Sequence, residues 1–216
     1  MTVLEWDKTG DRRFETGVDR GVLYLRDGAA VPWNGLTSIS EETSREVKSY
    51  YLDGVKYLDH HVPGSYAATL SAFTYPDELD ALMGNEEFAP GVILHDQKSS
   101  VFHLSYRTKI GNDVEGVDFG YRLHILYNIM AVSNGAAMSS IGDAVTPSAF
   151  EWALTGTPAN MYGVRPTSHI SLDSRHLDSL QLVAIENLLY GTEEDEPTMP
   201  DAVDLLEMLD PVGDPT

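Results

Sequence analysis

Hydrophobic and polar residues alternate along several short stretches of this chain, as they do in half-buried β-strands. The even-numbered positions of 102–108 are apolar or threonine, and the odd-numbered positions of 121–129 are all apolar. Successive side chains of a strand point to opposite faces, so each set shares one face. The connection 111–120 contains three glycines, and we therefore predict an antiparallel hairpin built from these two strands.

Turn signals separate further strand predictions. Asp53-Gly54 lies between two aromatic-rich runs, and an Asp-Gly pair in this setting predicts a two-residue hairpin turn. We therefore expect an extended hairpin around these residues. By the same reasoning, strands are predicted at 21–26, 36–40, 67–73, 150–155 and 167–172.

Helical patterns occur at three places. A proline at the start and a glycine at the end predict a short helix over 76–84. The main helix is predicted over 177–190 and a short amphipathic one over 200–209. Four residues at helical spacing carry the prediction of the main helix: Leu177, Leu180, Ala184 and Leu188.

These patterns divide the chain into three segments. Residues 1–17 are polar and are predicted to form an extended arm, and residues 18–191 form the β domain. Residues 192–216 carry nine acids, four prolines and neither lysine nor arginine. We expect this acidic extension to dock on its own domain or on a neighbouring copy.

Composition limits the function classes. The 216 residues carry a formal net charge of −20, which argues against a protein that reads nucleic-acid sequence, because phosphate contacts need clustered cations. The chain has no cysteine, which excludes disulfides and thiolate metal sites. No apolar stretch approaches the roughly 20 residues that span a bilayer, and residues 1–8 do not resemble a secretory signal.

No residue pattern predicts catalysis or a bound cofactor. Neither a nucleophile elbow nor a phosphate-binding glycine loop is present. His60 and His61 could join a distant histidine at a metal, but neighbours on a strand point to opposite faces, so we predict no metal site. The acids at 113–118 lack the glycine and the final glutamate of a calcium loop and are interpreted as a solvated turn. The protein is not expected to be an enzyme.

Tryptophans are divided between core and surface. Trp152 alternates with apolar neighbours and is predicted to lie in the core. Trp6 and Trp33 lie in polar or turn-rich segments, and tryptophan is enriched at the centres of protein interfaces. We therefore predict that these two contact other copies.

Six short motifs follow one another along the chain, at 17–24, 32–36, 51–58, 72–76, 104–112 and 121–128. In this order they resemble those of the major tail proteins, or tail-tube subunits, of long-tailed bacteriophages (siphophages), particularly those that infect actinobacteria. The resemblance runs through most of residues 5–191.

This resemblance implies a mainly β fold, an antiparallel β-sandwich or barrel of the tail-tube type with one flanking α-helix and extended arms. It implies a structural virion protein, synthesised in the host cytoplasm, whose homo-hexameric rings stack into the hollow tail. Phage DNA would pass through without sequence recognition. The implied partners are other copies and the tape-measure, tail-tip and terminator proteins; no membrane is involved.

The resemblance also suggests roles for particular segments. The Asp53-Gly54 hairpin would reach the next ring, the strands 102–109 and 121–129 would line the channel, and the helix 177–190 would pack outside them. Basic strand residues would face a neighbour's acids. The candidate interface residues are Trp6, Trp33, Tyr51, Asp53, Gly54, Tyr57, Arg107 and Lys109.

Two other functions fit the same residues. One is another tail ring, such as a distal-tail or terminator protein, which forms a single ring and does not polymerise. The other is a β-sandwich carbohydrate-binding module that uses Trp33 and nearby tyrosines as a platform for a sugar.

Overall fold

The fold is mainly antiparallel β, as predicted. The structure, a computed structural model, describes residues 3–43, 46–62, 65–135, 138, 140, 147–161 and 163–209. The strands in these ranges are β1 (Arg13–Tyr24), β2 (Ala30–Trp33), β3 (Leu36–Thr43), β4 (Glu46–Leu52), β5 (Val55–Val62), β6 (Tyr66–Ala72), β7 (Glu86–Ala89), β8 (Val92–Leu94), β9 (Phe102–Asn112), β10 (Gly116–Ser133), β11 (Phe150–Gly156) and β12 (His169–Asp173). The helices are α1 (Glu78–Met83), α2 (Ser179–Tyr190) and α3 (Ala202–Leu209).

One large sheet organises the domain, with the strand order β2-β1-β9-β10-β11-β6-β3 and β12 added beside β10. All of its strand pairs are antiparallel. The long strand β10 pairs with β9 along one edge, which confirms the predicted hairpin. Its other edge pairs first with β12 and then with β11. Strand β3 returns next to β1, so the sheet curls into an incomplete barrel.

Two hydrophobic clusters fill the two sides of the central strands. The inner cluster lies inside the curled sheet and contains Leu70, Phe102 and Trp152, with α1 at its edge. The helix-side cluster lies between the central strands and α2 and α3, and contains Tyr24 and Ile125. Burial of such side chains stabilises the fold by roughly 1.5–3 kcal/mol each.

A bulge at Asn128 reverses the alternation of β10, so that its odd-numbered residues face different sides of the sheet before and after the bulge. Leu123, Ile125 and Tyr127 lie in the helix-side cluster, whereas Ile129 lies in the inner cluster. Asn128 has a φ of 51°, and the register with β9 shifts between Leu126 and Ile129. The prediction of one continuous face through Ile129 is therefore wrong beyond Asn128, because an inserted residue reverses the alternation.

The centres of β9 and β10 are covered on both faces by the same chain. Phe102 and Leu104 pack into the inner cluster, while Leu123 and Ile125 pack under the helices. These side chains are fully buried. The expectation that these two strands line a channel is therefore wrong for their central residues.

Helix α1 confirms the prediction at 76–84, and Gly84 ends it in the left-handed conformation (φ 91°). Helix α2 confirms the predicted main helix, but its buried residues are Leu182, Ile185 and Leu189. Leu180, which the spacing assigned to the apolar stripe, is 77% exposed. The helix has apolar residues on more than one side, so periodicity alone did not identify the packed face.

Residues 192–209 dock on their own domain, which is one of the two predicted alternatives. Ala202 and Leu205 of α3 are buried in the helix-side cluster. Tyr127 Oη donates a hydrogen bond to the Pro200 carbonyl (3.2 Å), and Gln181 Nε2 donates one to the Met208 carbonyl (3.1 Å). Two helices rather than one therefore cover this side of the sheet.

The N-terminal segment joins the sheet before the predicted end of the arm. Strand β1 begins at Arg13, and Arg13 and Thr16 lie opposite Asn112 and Lys109. Before the strand, the Gly10 amide donates a hydrogen bond to Asp113 Oδ1 (2.8 Å). Within the described residues, no helix has the length and apolarity to cross a membrane.

Candidate functional site

The hairpin β4–β5 forms a two-stranded sheet of its own. Asp53 (φ 50°) and Gly54 (φ 78°) both adopt positive φ at the turn. This is the conformation that a two-residue type I′ turn requires, and it explains the Asp-Gly pair. The predicted extended hairpin is confirmed.

One face of this hairpin is apolar and exposed. Its register places Tyr50 opposite Leu58 and Leu52 opposite Val55, and these four side chains are 44–70% exposed. On the other face, Ser49 Oγ donates a hydrogen bond to Asp59 Oδ1 (2.6 Å). An isolated hairpin is marginally stable at best, and contiguous exposed apolar residues mark interaction sites. We call these four residues the hairpin patch.

Other projecting segments are also apolar. Trp6, near the N-terminus, is 78% exposed, and Phe88 on the β7–β8 hairpin is similarly exposed. Tyr51 and Tyr57 of the β4–β5 hairpin are exposed too. Trp6, Tyr51, Asp53, Gly54 and Tyr57 therefore lie where another molecule can reach them.

Trp33 lies in the core, and its predicted surface role is corrected. It is only 2% exposed, and its ring packs edge-on against Trp152 at 5.2 Å between centroids. Its Nε1 donates a hydrogen bond to the Thr74 carbonyl (3.0 Å). The turn-like sequence around it is a short strand, β2, that directs the ring inward. Its flat faces are therefore not available to a sugar or to another copy.

Arg107 is paired within its own chain. Its Nε and Nη2 donate hydrogen bonds to the two carboxylate oxygens of Asp19 (2.8 and 3.1 Å). The guanidinium lies over the Tyr121 ring, 4.6 Å from its centroid. Burial raises the pKa of Asp19, but the bonds and charge of Arg107 outweigh it and lower that pKa overall. Lys109, two residues further along β9, is half-buried. It pairs with Thr16 of β1 on one side and with Tyr121 of β10 on the other.

The outward face of β3, β6 and β11 carries mostly small and hydroxylated side chains. Its register forms cross-strand rows, such as Ser38–Ser71–Glu151 and Ser40–Thr69–Ala153. These residues are small or hydroxylated, apart from the acids, and they are exposed or half-buried. We call this surface the hydroxyl wall. It consists of Ser38, Ser40, Glu42, Ala67, Thr69, Ser71, Glu151, Ala153 and Thr155.

A cluster of histidines lies at one end of the inner cluster. His124 Nδ1 is 3.0 Å from His169 Nε2, and Glu41 Oε1 is 3.6 and 3.7 Å from these two atoms. Tyr106 stacks on the His124 ring at 4.5 Å and donates a hydrogen bond to Glu41 Oε1 (2.5 Å). Burial lowers the pKa of His124 to about 4, with a further contribution from His169. Burial also lowers the pKa of His169, so both rings are neutral at neutral pH.

Sequence reasoning did not find this cluster. Its members come from β3, β10 and β12, far apart in the chain, and pairing around the curled sheet brings them together. His60, which was considered and rejected as a metal ligand from the sequence, lies on the exposed hairpin, and the side chain of His61 is outside the described residues. No spacing between neighbouring residues indicates that three ligands on three strands come together. Only the pairing register of all three strands could have predicted this cluster.

Asp173 at the end of β12 offers a test of the electrostatics. Arg175 donates two hydrogen bonds to its carboxylate (2.9 and 2.6 Å) and holds its pKa at about 2, below the ordinary 3.8. Between these values the unfolded chain binds more protons, so this stabilisation is present above pH 4 and is lost as the pH falls towards 2. We expect Asp173→Asn to lower the free energy of unfolding by roughly 1 kcal/mol at pH 7, because solvent screens part of the attraction between Asp173 and Arg175.

Urea unfolding between pH 2 and 7 measures this effect. The variant should show a flatter loss of stability below pH 4 than the wild type. Asp118→Asn, at the exposed start of β10, is the control and should change stability by less than about 0.5 kcal/mol. Identical pH profiles for wild type and Asp173→Asn would contradict the role of this pair.

Comparison with known proteins gives structural likeness alone. No family model and no curated protein matches the chain. It is similar to a chain in the cryo-EM structure of an extracellular contractile injection system, the PVC sheath–tube complex in the extended state. The identity is 16%, the TM-score is 0.39, and the match covers 71% of this chain and 88% of that one.

Two further similar structures come from the anti-feeding prophage (AFP). One is its tube-terminating cap, with 10% identity, a TM-score of 0.42, and coverage of 81% of this chain and 97% of that chain. The other is its baseplate, six-fold symmetrised, with 10% identity, a TM-score of 0.34, and coverage of 80% and 97%. These three solved structures are thus a sheath–tube complex, a tube-terminating cap and a baseplate.

Proposed function

We propose that this protein is a structural, non-enzymatic tail protein, the major tail-tube subunit of a long-tailed phage. Copies assemble into homo-hexameric rings, and the rings stack into a hollow tube. The observation that carries the proposal is the hairpin patch, an apolar surface that its own domain leaves exposed. The ordered motifs of residues 5–191, which resemble the tail-tube family, support the same conclusion.

The hairpin patch suits contact between identical subunits. A head-to-tail contact places one surface of a subunit against a different surface of the next, and it closes into a ring when the rotation fits. The hairpin projects as a separate sheet, so it can reach a neighbour while its own domain keeps its packing. Covering Tyr50, Leu52, Val55 and Leu58 would remove an apolar surface from water, which favours association.

The hydroxyl wall is the surface we assign to the channel. Among its nine residues only Glu42 and Glu151 are charged, and both are acidic. DNA binds through phosphates that pair with lysine and arginine, so a wall of small hydroxyl side chains and scattered acids gives passing DNA little to hold. The face also lacks bulky side chains that would narrow a channel.

Further partners follow from the proposal. A tube subunit would contact the tape-measure, tail-tip and terminator proteins and would reside in the virion tail. The ring-only alternative, a distal-tail or terminator protein, uses the same hairpin contact but stops at one ring. The sugar-binding alternative loses its platform because Trp33 is buried.

Electron microscopy of the purified protein over a concentration series tests the proposal. We expect wild-type rings or tubes, and we expect the double variant Leu52→Ser/Leu58→Ser to remain monomeric, because it removes half of the hairpin patch. The matched control is Val114→Ser/Val117→Ser, which removes two exposed aliphatic side chains from the end of the β9–β10 hairpin. The control should assemble like the wild type.

Two results would contradict the proposal. One is normal assembly of the hairpin double variant, and the other is equal loss of assembly in the control. Single rings that never stack would favour the distal-tail or terminator alternative. In a reconstruction of the tube, the hydroxyl wall should face the axis; an outward-facing wall would overturn its assignment to the channel.

A further inference from the structure

The histidine cluster holds three side chains of the types that bind zinc. Zinc is bound by histidine nitrogens at about 2.0–2.1 Å and by carboxylate oxygens at about 2.0–2.2 Å. His124 Nδ1, His169 Nε2 and Glu41 Oε1 form a triangle with sides of 3.0, 3.6 and 3.7 Å. A point equidistant from the three atoms lies about 2.0 Å from each, which matches those bond lengths.

Hydrogen bonds around His124 favour the tautomer in which Nδ1 has no proton, and a metal can bind only a nitrogen without a proton. Thr108 Oγ1 donates to Glu15 Oε1 (2.5 Å) and therefore accepts at its other side, from His124 Nε2–H (3.1 Å). With the proton on Nε2, His124 Nδ1 carries a free lone pair, and His169 Nε2 lies 3.0 Å from it. Metal-bound histidines commonly use the second nitrogen in this way, and the outer partner fixes the tautomer.

Glu41 is held in place by its neighbours. Its Oε1 accepts hydrogen bonds from Tyr106 Oη (2.5 Å) and Tyr66 Oη (3.4 Å). The Tyr66 ring also packs edge-on against the His169 ring at 5.1 Å. The three candidate ligands are thus oriented by outer residues of the kind that support metal sites.

The cluster is accessible from outside. A cleft of about 450 Å³ between β1 and β3 is lined by Glu41, His124, Tyr106 and Thr108. An ion could enter through this opening, and water could occupy a fourth position. Three protein ligands with one open position are common at zinc.

We propose that Glu41, His124 and His169 bind a divalent transition-metal ion, with Zn²⁺ as the best fit. The ion takes the place of the proton between His124 Nδ1 and His169 Nε2 and joins three strands at the seam of the barrel. Imidazole and carboxylate ligands suit Zn²⁺ better than the all-oxygen preference of Ca²⁺ or Mg²⁺. The ion would stabilise the folded subunit, because it binds the folded chain in preference to the unfolded one.

Calorimetric titration of the EDTA-treated, desalted full-length chain with Zn²⁺ tests the proposal. We expect one ion per chain at this site and a higher melting temperature with zinc. Removing a residue that hydrogen-bonds to a metal ligand lowers metal affinity by about 10- to 100-fold, so Thr108→Val should weaken zinc binding by that amount. His169→Gln and Glu41→Gln remove direct ligands and should weaken it by more than about 100-fold.

His103→Gln is the matched control. His103 is also a half-buried histidine, whose Nδ1 accepts a hydrogen bond from the Asn128 amide, and this substitution should leave zinc affinity unchanged. Melting of each variant in EDTA shows that it is folded. Absence of zinc binding by the wild type would overturn the proposal, and so would wild-type affinity in both His169→Gln and Glu41→Gln. Cobalt absorption that reports histidine ligation in the wild type and disappears in His169→Gln would support it.

Discussion

Replacing Trp152 with alanine is expected to lower the free energy of unfolding by about 3–5 kcal/mol. Trp152 is among the largest fully buried side chains, and its ring contacts Trp33, Tyr75 and Phe150 at centroid distances of 5.2–6.1 Å. Truncation removes this packing and leaves a cavity between the two sides of the curled sheet. The chain should still fold but should unfold at a much lower urea concentration.

Trp6→Ala is the matched control for Trp152→Ala. Trp6 is mostly exposed, so its removal should change the free energy of unfolding by less than about 0.5 kcal/mol. Both variants are unfolded in urea at one low protein concentration, because assembly would otherwise add to the apparent stability. Equal effects of the two substitutions would mean that Trp152 does not pack as described.

The second large effect is expected at the C-terminal helix. Leu205→Ala should lower the free energy of unfolding by about 2–5 kcal/mol, because Leu205 is fully buried between α3 and the central strands. The acidic sequence after Gly191 suggests a peripheral extension, yet α3 contributes to the helix-side cluster. Leu180→Ala removes a mostly exposed leucine from α2 and should change stability little.

Thermal and urea unfolding of these two leucine variants give the comparison. A decrease limited to Leu205→Ala supports a C-terminal segment that folds as part of the domain. A neutral Leu205→Ala would indicate that α3 detaches in solution and does not contribute to folding.

Local signals predicted the β4–β5 and β9–β10 hairpins and the C-terminal ends of α1 and α2 correctly. Asp53-Gly54 determines its turn through positive φ at both residues, and Gly84 ends α1 for the same reason. These features depend on a few neighbouring residues. The sequence can therefore show them without knowledge of the rest of the fold.

Features that depend on distant partners were missed or misplaced. Trp33 lies in a turn-rich sequence, but its ring is buried because the Trp152 ring lies against it. The buried face of α2 is decided by the strands beneath it and not by its own periodicity. The histidine cluster requires the registers of three strands that are separated by up to 128 residues, from Glu41 to His169.

The bulge at Asn128 has a consequence for how this sequence can vary over evolution. The odd-numbered residues of β10 face the helix-side cluster before Asn128 and the inner cluster after it. A single-residue insertion or deletion on either side would turn the residues of that half of the strand to the opposite face of the sheet, whereas a change of two residues would keep their faces. Length variation among descendants of this sequence should therefore accumulate in the exposed hairpin turns, and within β10 it should occur in pairs.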